Sequence, residues 1–419
     1  MIPIGLTLMV LVLLILRLNL IIILLILAAS IHMLYGDGEL LYMSEDIWAA
    51  LDRDALLSIP LFLLCGTIMC RGAIAKRLIN VLKEATCHLP GGLGAATILS
   101  CAFFAAISGS SMVTLLAVGA ILYPALLEQG YSKKYALGAL TSAGTLGVVI
   151  PPSIPMIIYG IITETSITDM FLAGIIPGLI LTLVLTLYSV WVNKHMPRKA
   201  FDLGRFLTSL KAGIWSLLMP VILLGGIYSG YFTATESAAI ALTYAIFIET
   251  FIHREMELKQ LYETVVSTTE MLGGLVPIIA IAMSLNLLLT AEQVPANLAN
   301  WMTSHVEDKW MFIIGLNLML LAVGCLMEII SAILIMAPIM LPVALAYGID
   351  PVHLGIIMVI NLEIGLLTPP VGINLVVATS AFKESFLEVT KSVMPFIVLM
   401  IGVLLLVSFV PEVSLFLVN

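Results

Sequence analysis

Charge is the scarcest commodity in this sequence: Asp, Glu, Lys and Arg make up 11% of its 419 residues, against about 25% in an average soluble domain. That scarcity, set beside 61% hydrophobic residues, excludes a soluble globular protein, because apolar stretches long enough to cross a bilayer, about 20 residues, recur from end to end. Cysteine is sparse too. Cys65, Cys70, Cys87, Cys101 and Cys325 lie in or beside apolar segments with no paired CxxC spacing, so neither disulfides nor a thiolate metal centre organises the fold. There is no GxxxxGK[ST] phosphate loop, no HExxH zinc pair and no GxSxG elbow; an enzyme is not expected. The long Leu/Ile/Ala/Met runs do not alternate, which excludes a transmembrane β-barrel. What remains is an all-α polytopic membrane protein, with the lipid bilayer as its surroundings and no nucleic-acid partner expected.

Proline is the informative residue that is present. Shifting the sequence by 218 positions places Pro124 on Pro342, Pro151-Pro152 on Pro369-Pro370 and Pro177 on Pro395. At a proline frequency near 5%, roughly 0.3 such coincidences are expected over that stretch. Gly130/Gly348 and Gly147/Gly365 fall into the same register. The chain is therefore an internal duplication whose shared punctuation marks helix breaks, a pattern that points to a transporter with its site at the repeat interface.

Charge distribution sets the expected topology. Residues 37–54 are acidic, whereas Arg71, Lys76, Arg77 and Lys83, the Lys133-Lys134 pair and the connector 194–211 are basic and are assigned to the cytoplasm. Residues 2–16 and 18–35 flank Arg17; since the charge follows the first apolar run, they read as two embedded segments, not a removed leader. Residues 1–55 thus form N-terminal membrane segments and an acidic outer loop. Residues 56–193 form a first repeat with a hairpin at 92–127 entered from the cytoplasm. Residues 194–262 are a basic linker and a scaffold helix pair. A second repeat, 263–419, has a hairpin at 310–346 entered from outside. One repeat begins outside and the other inside, the signature of inverted topology.

Chemistry concentrates at the breaks. Ser108-Gly109-Ser110-Ser111 sits between two short apolar arms. By itself it reads as a small-residue helix-packing patch. Between re-entrant arms, non-helical backbone is tolerated only where it is buried in protein or lines a cavity, which favours a site for a small hard cation. Gly147-Val-Val-Ile-Pro-Pro-Ser153 and Gly365-Leu-Leu-Thr-Pro-Pro-Val371 repeat a Gly-x-x-x-Pro-Pro unit. Consecutive prolines leave carbonyls one turn back unpaired; the bland alternative is two kinks. Half-helix C-termini attract cations and N-termini anions. Glu236, Glu328 and Glu363 are the intramembrane carboxylates. A helix N-terminal cap is the favoured role for Glu236. Glu328 and Glu363 stand as ion ligands, proton carriers or hydrogen-bond partners, with structural support ranked first for Glu363. Ser110, Ser153 and Asn374 are candidates for substrate contact.

At these residues the sequence resembles a family. The segment 59–78 (IPLFLLCGTIMCRGAIAKRL), SGSS, 144–160 (GTLGVVIPPSIPMIIYG), AGIIPG, GYFTATESAA and 361–374 (NLEIGLLTPPVGIN) resemble the large membrane subunit of tripartite ATP-independent periplasmic (TRAP) transporters, from about residue 56 to the C-terminus. Ala234 and Glu328 depart from the Pro and Asp common there. The resemblance implies an ion-transporter-type elevator fold in a bacterial inner membrane. It implies Na⁺-coupled uptake of an organic acid delivered by a periplasmic binding protein, and a separate small membrane subunit, not fused to this chain. Carried over by motif, the implied Na⁺ positions are Ser108, Ser111, Gly147, Ile150 and Pro152 in the first half, and Gly324, Gly365, Thr368 and Val371 in the second. The competing readings are a stand-alone Na⁺/carboxylate carrier of the same fold superfamily and, further off, a channel.

Overall fold

The computed structural model describes residues 20–35 and 40–418, with positions 9, 12, 13, 16 and 18; most of the expected segment 2–16 lies outside the described residues. Among the described residues all regular structure is helical, and nine helical stretches are long and apolar enough to cross a membrane.

Short polar caps cut the apolar sequence into helices. Helices α1 (Leu20–Tyr35) and α2 (Leu40–Leu51) precede α3 (Ser58–Arg71) and α4 (Ile74–Thr86). Next come α5 (Gly92–Ser108) and α6 (Ser111–Glu128), α7 (Lys133–Gly144), α8 (Leu146–Val149), α9 (Ile154–Thr163) and α10 (Ile167–Val192). Ser132 and Ser166 cap α7 and α10 by accepting the backbone N–H three residues on, satisfying donors that have no intrahelical partner. Then follow α11 (Leu203–Tyr228), α12 (Ala234–Phe247) with a π-turn over Ile248–His253, and α13 (Leu258–Ala291). The chain continues as α14 (Val294–His305), α15 (Lys309–Gly324), α16 (Ile329–Ala346), α17 (Pro351–Gly365), α18 (Ile373–Phe382), α19 (Phe386–Phe409) and a last turn, α20 (Glu412–Leu415). Asp308, Asp350 and Ser385 cap α15, α17 and α19 by accepting backbone N–H groups two or three residues on.

The offset of 218 carries elements onto elements. Moved by it, the bounds of α6 coincide with those of α16, and the bounds of α9 and α10 fall within one residue of those of α18 and α19. Packing follows the same exchange: α6 lies on α18, and α16 on α9. In each case the second arm of one hairpin meets the piece that follows the Pro-Pro break of the other half.

Two groups of helices result. α12 lies along α3 and α11, and α13 against α3, making a frame, while α4 bridges from α11 to α5. In the other group α7 packs on α19, α15 on α17 and α5 on α10. Every residue of α17 from Val352 to Gly365 is buried.

Four segments read as polar connectors contain helix. The connector expected over 194–211 ends at Asp202, whose carboxylate caps α11, so that helix takes up its second half. Helix α2 lies inside the expected acidic loop, and α14 in the mixed-composition stretch just before the second hairpin. The basic segment after α3 winds as α4, which buries Ile74, Leu78, Ile79 and Leu82 and keeps its charged residues on the other side. A short amphipathic helix balances apolar and charged faces, so its average hydropathy resembles that of a loop; only its period identifies it.

Candidate functional site

The site begins with two hairpin tips and the close approaches that glycine permits. In the first half Gly109 ends α5 in the left-handed region, at φ 60°, where a side chain would be strained. A Cβ there would also lie 3.0 Å from the Pro152 carbonyl oxygen. A Cβ on Gly147 would come within 2.5 Å of the Ser110 carbonyl oxygen and 2.6 Å of Thr114 Oγ1. In the second half a Cβ on Gly365 would lie 2.6 Å from the Gly324 Cα, and one on Gly324 would lie 2.9 Å from the Leu362 carbonyl oxygen. Each tip therefore rests backbone to backbone on the broken helix of its own half.

A matching hydrogen bond fixes each contact. The Ile154 N–H donates to the Gly109 carbonyl at 3.3 Å, and the Gly372 N–H donates to the Cys325 carbonyl at 3.2 Å. Ile154 and Gly372 are themselves 218 positions apart. The Pro151-Pro152 and Pro369-Pro370 peptides are both cis.

Between the tips lies a cavity of about 180 Å³. Its wall includes Ser110 and Ser111 at the start of α6, Ile154 and Pro155 at the start of α9, Glu328 and Ile329 at the start of α16, and Ile373 and Asn374 at the start of α18. Four helix N-termini thus converge on one space. Each carries a partial positive charge that favours an anion, although the first-turn donors of α9 are taken by the Gly109 carbonyl and Ser153 and those of α16 by Glu328. Among the described residues no lysine, arginine or histidine lines it; Leu63, Met271 and Leu275 close it from the frame helices α3 and α13. The two halves touch here through side chains: Ser111 Oγ donates to Asn374 Oδ1 at 3.4 Å.

The residues singled out from sequence separate as follows. Ser108 Oγ meets Thr114 Oγ1 at 2.7 Å and donates to the Ser110 carbonyl at 3.3 Å, so Ser108, Ser110, Ser111, Gly147 and Pro152 gather at the first tip. Gly324 and Gly365 gather at the second. Ile150 follows α8 as its half-buried C-cap. Ser153 caps α9, accepting from the Met156 N–H at 3.4 Å, and is absent from the cavity wall. Thr368 turns its hydroxyl back onto the Ile364 carbonyl at 2.9 Å, and Val371 is exposed.

The three carboxylates occupy different settings. Glu328 caps α16: its Oε2 accepts from the Ile330 N–H at 3.0 Å and the Ser331 N–H at 3.2 Å. Glu363 is fully buried, and neither of its oxygens has a hydrogen-bond partner. Its polar neighbours are the Ser111 hydroxyl and the Glu328 carboxylate; the Ser111 hydroxyl faces it without completing a bond, which goes to Asn374 instead. Glu236 is exposed at the start of α12. It forms a capping box with Thr233, beside a depression shared with Arg53, Asp54 and Glu164.

Sequence reading missed Met271 and Leu275, which sit in an unbroken apolar run and carry no local signal. It also passed over Glu249, a wholly buried carboxylate on the π-turn. The available signal was an acidic residue within the apolar stretch FIETFI.

An all-helical membrane chain whose helix ends converge on a small, arginine-free cavity has the architecture of a solute transporter. The chain belongs to the family described as "Tripartite ATP-independent periplasmic transporter, DctM component", whose model matches residues 7–413. Among its relatives, the C4-dicarboxylate TRAP transporter large permease protein DctM of Pseudomonas aeruginosa is 40% identical, over 92% of this chain and 91% of the relative. The isethionate TRAP transporter permease protein DctMQ of Oleidesulfovibrio alaskensis is 39% identical, over 90% of this chain and 60% of that longer protein. The fold is similar to that of the Alcanivorax borkumensis YdaH transporter, at 14% identity and a TM-score of 0.59 over 90% of this chain and 89% of that one.

Proposed function

We propose that this permease carries out Na⁺-coupled secondary uptake of an organic acid across a bacterial inner membrane. In this reading the acid is delivered by a periplasmic binding protein, a small membrane subunit completes the complex, and an elevator movement alternates access. The observation that carries the reading is the convergence of four helix N-termini on the cavity, with carbonyl-bearing helix C-termini at both tips. The recurrence of helix bounds at one offset supports inverted repeats, and the short arms α5 and α15 support re-entrant hairpins.

Magnitudes favour coupling over anion binding alone. Withdrawing a carboxylate-sized anion from water costs several kcal/mol even after relaxation. A helix N-terminus returns about 0.3–1 kcal/mol, up to about 2 when partly buried. Glu328 already uses the α16 end, and the Gly109 carbonyl and Ser153 use the α9 end, so the other two fall short. A cation bound at the adjacent C-terminal ends would supply the remainder. Ser108, Ser111 and the backbone around Gly147, Ile150 and Pro152 would hold one Na⁺. The backbone around Gly324, Gly365, Thr368 and Val371 would hold another, all with the oxygen ligands that a hard cation requires. The relatives named for a C4-dicarboxylate and for isethionate are almost equally similar, which supports an organic anion as the substrate class.

The test is uptake by proteoliposomes containing the permease and its small subunit, with binding protein outside. Saturable uptake that follows an inward Na⁺ gradient and disappears when K⁺ replaces Na⁺ is expected. Uptake undiminished without the binding protein would favour the stand-alone carrier, and non-saturating flux a channel.

A further inference from the structure

The π-turn that ends α12 brings Glu249 against the start of α4, far from the cavity wall. The Glu249 side chain is completely buried. Its Oε1 accepts from the Ile74 N–H at 2.8 Å and its Oε2 from the Ala73 N–H at 3.0 Å. Helix α4 has no cap of its own, since its N-cap residue is Ala73, and these first-turn donors would otherwise be orphaned. Gly72 makes room, because a Cβ at that position would overlap the Glu249 carboxylate. Arg71 reaches the hydroxyls of Thr264 and Ser267 on α13, and Arg77 pairs with Glu255 at 3.3 Å. In chain order α4 joins the frame helix α3 to the first hairpin.

The second half is built differently. Helix α14, between α13 and the second hairpin, starts after Gln293 at φ 56° with no side-chain cap. Pro295 stands in its first turn, where it removes a donor instead of satisfying one. The carboxylate clamp is one-sided.

We infer that Glu249 is a positioning residue for transport. It pins the first turn of α4 to the frame through two charge-assisted hydrogen bonds, so that residues 72–74 form the fixed pivot from which α4 carries the first hairpin. This rests on the elevator reading above. Because the pin is equal in the two end states, its loss leaves the affinities of the cavity alone; it slows the movement because a loosened first turn lets α4 shift without carrying the hairpin.

Two measurements test it, both on the complete complex. Wild-type complex is trapped inward and outward by hairpin–frame disulfides, and hydrogen exchange is followed over residues 72–78; equal protection in both traps is expected. Uptake is then measured for Glu249→Gln, whose amide keeps one acceptor and sets an NH₂ against the other N–H. Losing one charge-assisted bond should lower turnover by about tenfold. KM for substrate and Na⁺ should stay unchanged, the melting temperature should stay near that of the parent, and Glu249→Asp should recover part of the rate. Unchanged turnover, or a KM that rises in proportion, overturns the assignment. So does exchange that increases in one trap, and this measurement decides even if Glu249→Gln does not fold. If only one state can be trapped, the elevator reading itself fails and the pivot with it; if both are trapped and exchange differs, only the pivot falls.

Discussion

Gly365→Ala tests the proposed ion site at its tightest contact. The added Cβ would lie 2.6 Å from the Gly324 Cα and 3.0 Å from the Cys325 nitrogen, where carbon–carbon contacts settle near 3.5–4.0 Å. Both neighbours are backbone, so no side chain can swing aside, and tip and broken helix must part by about 1 Å. Overpacking of this kind costs roughly 1–3 kcal/mol. If the hairpin tip relieves it by moving away, the ligand oxygens separate and Na⁺ binding takes the cost. At about 1.4 kcal/mol per tenfold, the Na⁺ concentration for half-maximal uptake should rise about ten- to a hundredfold. The assay is Na⁺-dependent uptake by reconstituted complex at matched protein level. Gly402→Ala is the control: nothing lies within 4 Å of its added Cβ, and alanine gains up to about 1 kcal/mol in helix propensity. A wild-type Na⁺ dependence in folded Gly365→Ala would refute the placement of the site at the Gly324–Gly365 contact.

Three further expectations follow from other parts of the molecule. Single cysteines at Lys133 and Gly348 in a Cys-free background should label from opposite sides of the membrane, Lys133 from the cytoplasm; same-sided labelling would defeat the inverted topology. Thr233→Ala breaks the capping box with Glu236 and should cost about 1 kcal/mol of stability, read as a lower melting temperature in detergent, with Na⁺ dependence unchanged. Glu384, between α18 and α19, is held below the usual carboxylate range, first by its hydrogen bond from Lys133 and then by that from Tyr123. Because its folded value is depressed, the stabilisation is present above the ordinary value of about 4.3 and is lost as pH falls through the depressed one. Lys133→Met should therefore flatten the acid limb of the melting curve; the effect is small, since Lys133 is 45% exposed and exposed pairs contribute little.

Legibility in the sequence tracked the physical cause of each feature. The breaks were readable because proline and glycine act through the backbone, so Pro151-Pro152 and Pro369-Pro370 announce an interruption whatever surrounds them. Hairpin arms expected at 92–107 and 112–127 lie within a residue of α5 and α6 for the same reason: Gly109 and the serines around it end one helix and start the next. Helices α2, α4 and α14 were not recovered, because their mixed composition averages to that of a connector. The cavity wall divides likewise. Ser110, Ser111 and Asn374 stand out as polar residues at breaks, whereas Met271 and Leu275 reach the cavity only through the packing of α13 on α3, a long-range fact with no local trace. Glu249 needed both: its charge was visible, but its partners, Ala73 and Ile74, lie 176 and 175 residues away.

The absence of arginine from the cavity wall gains a reason on the elevator reading. A site that crosses the membrane must also return empty. A guanidinium fixed in it would make every return a charge movement, worth about 2.3 kcal/mol per charge at 100 mV, besides the cost of burying it unpaired. Helix N-termini avoid this, since their partial charges are matched by the opposite ends of the same helices. The full positive charge needed to hold an anion can then come from ions that bind with the substrate and leave with it. Glu328 fits the scheme, because its carboxylate rests on the N-terminus of α16 and offsets that helix end. Glu363 does not: it has no bonded partner and lies beside Ser111. A buried carboxylate in that position needs a cation or a proton to be tolerated. The loading of the proposed ion sites and the charge state of Glu363 are therefore coupled on electrostatic grounds, through the hydroxyl that also reaches across to Asn374.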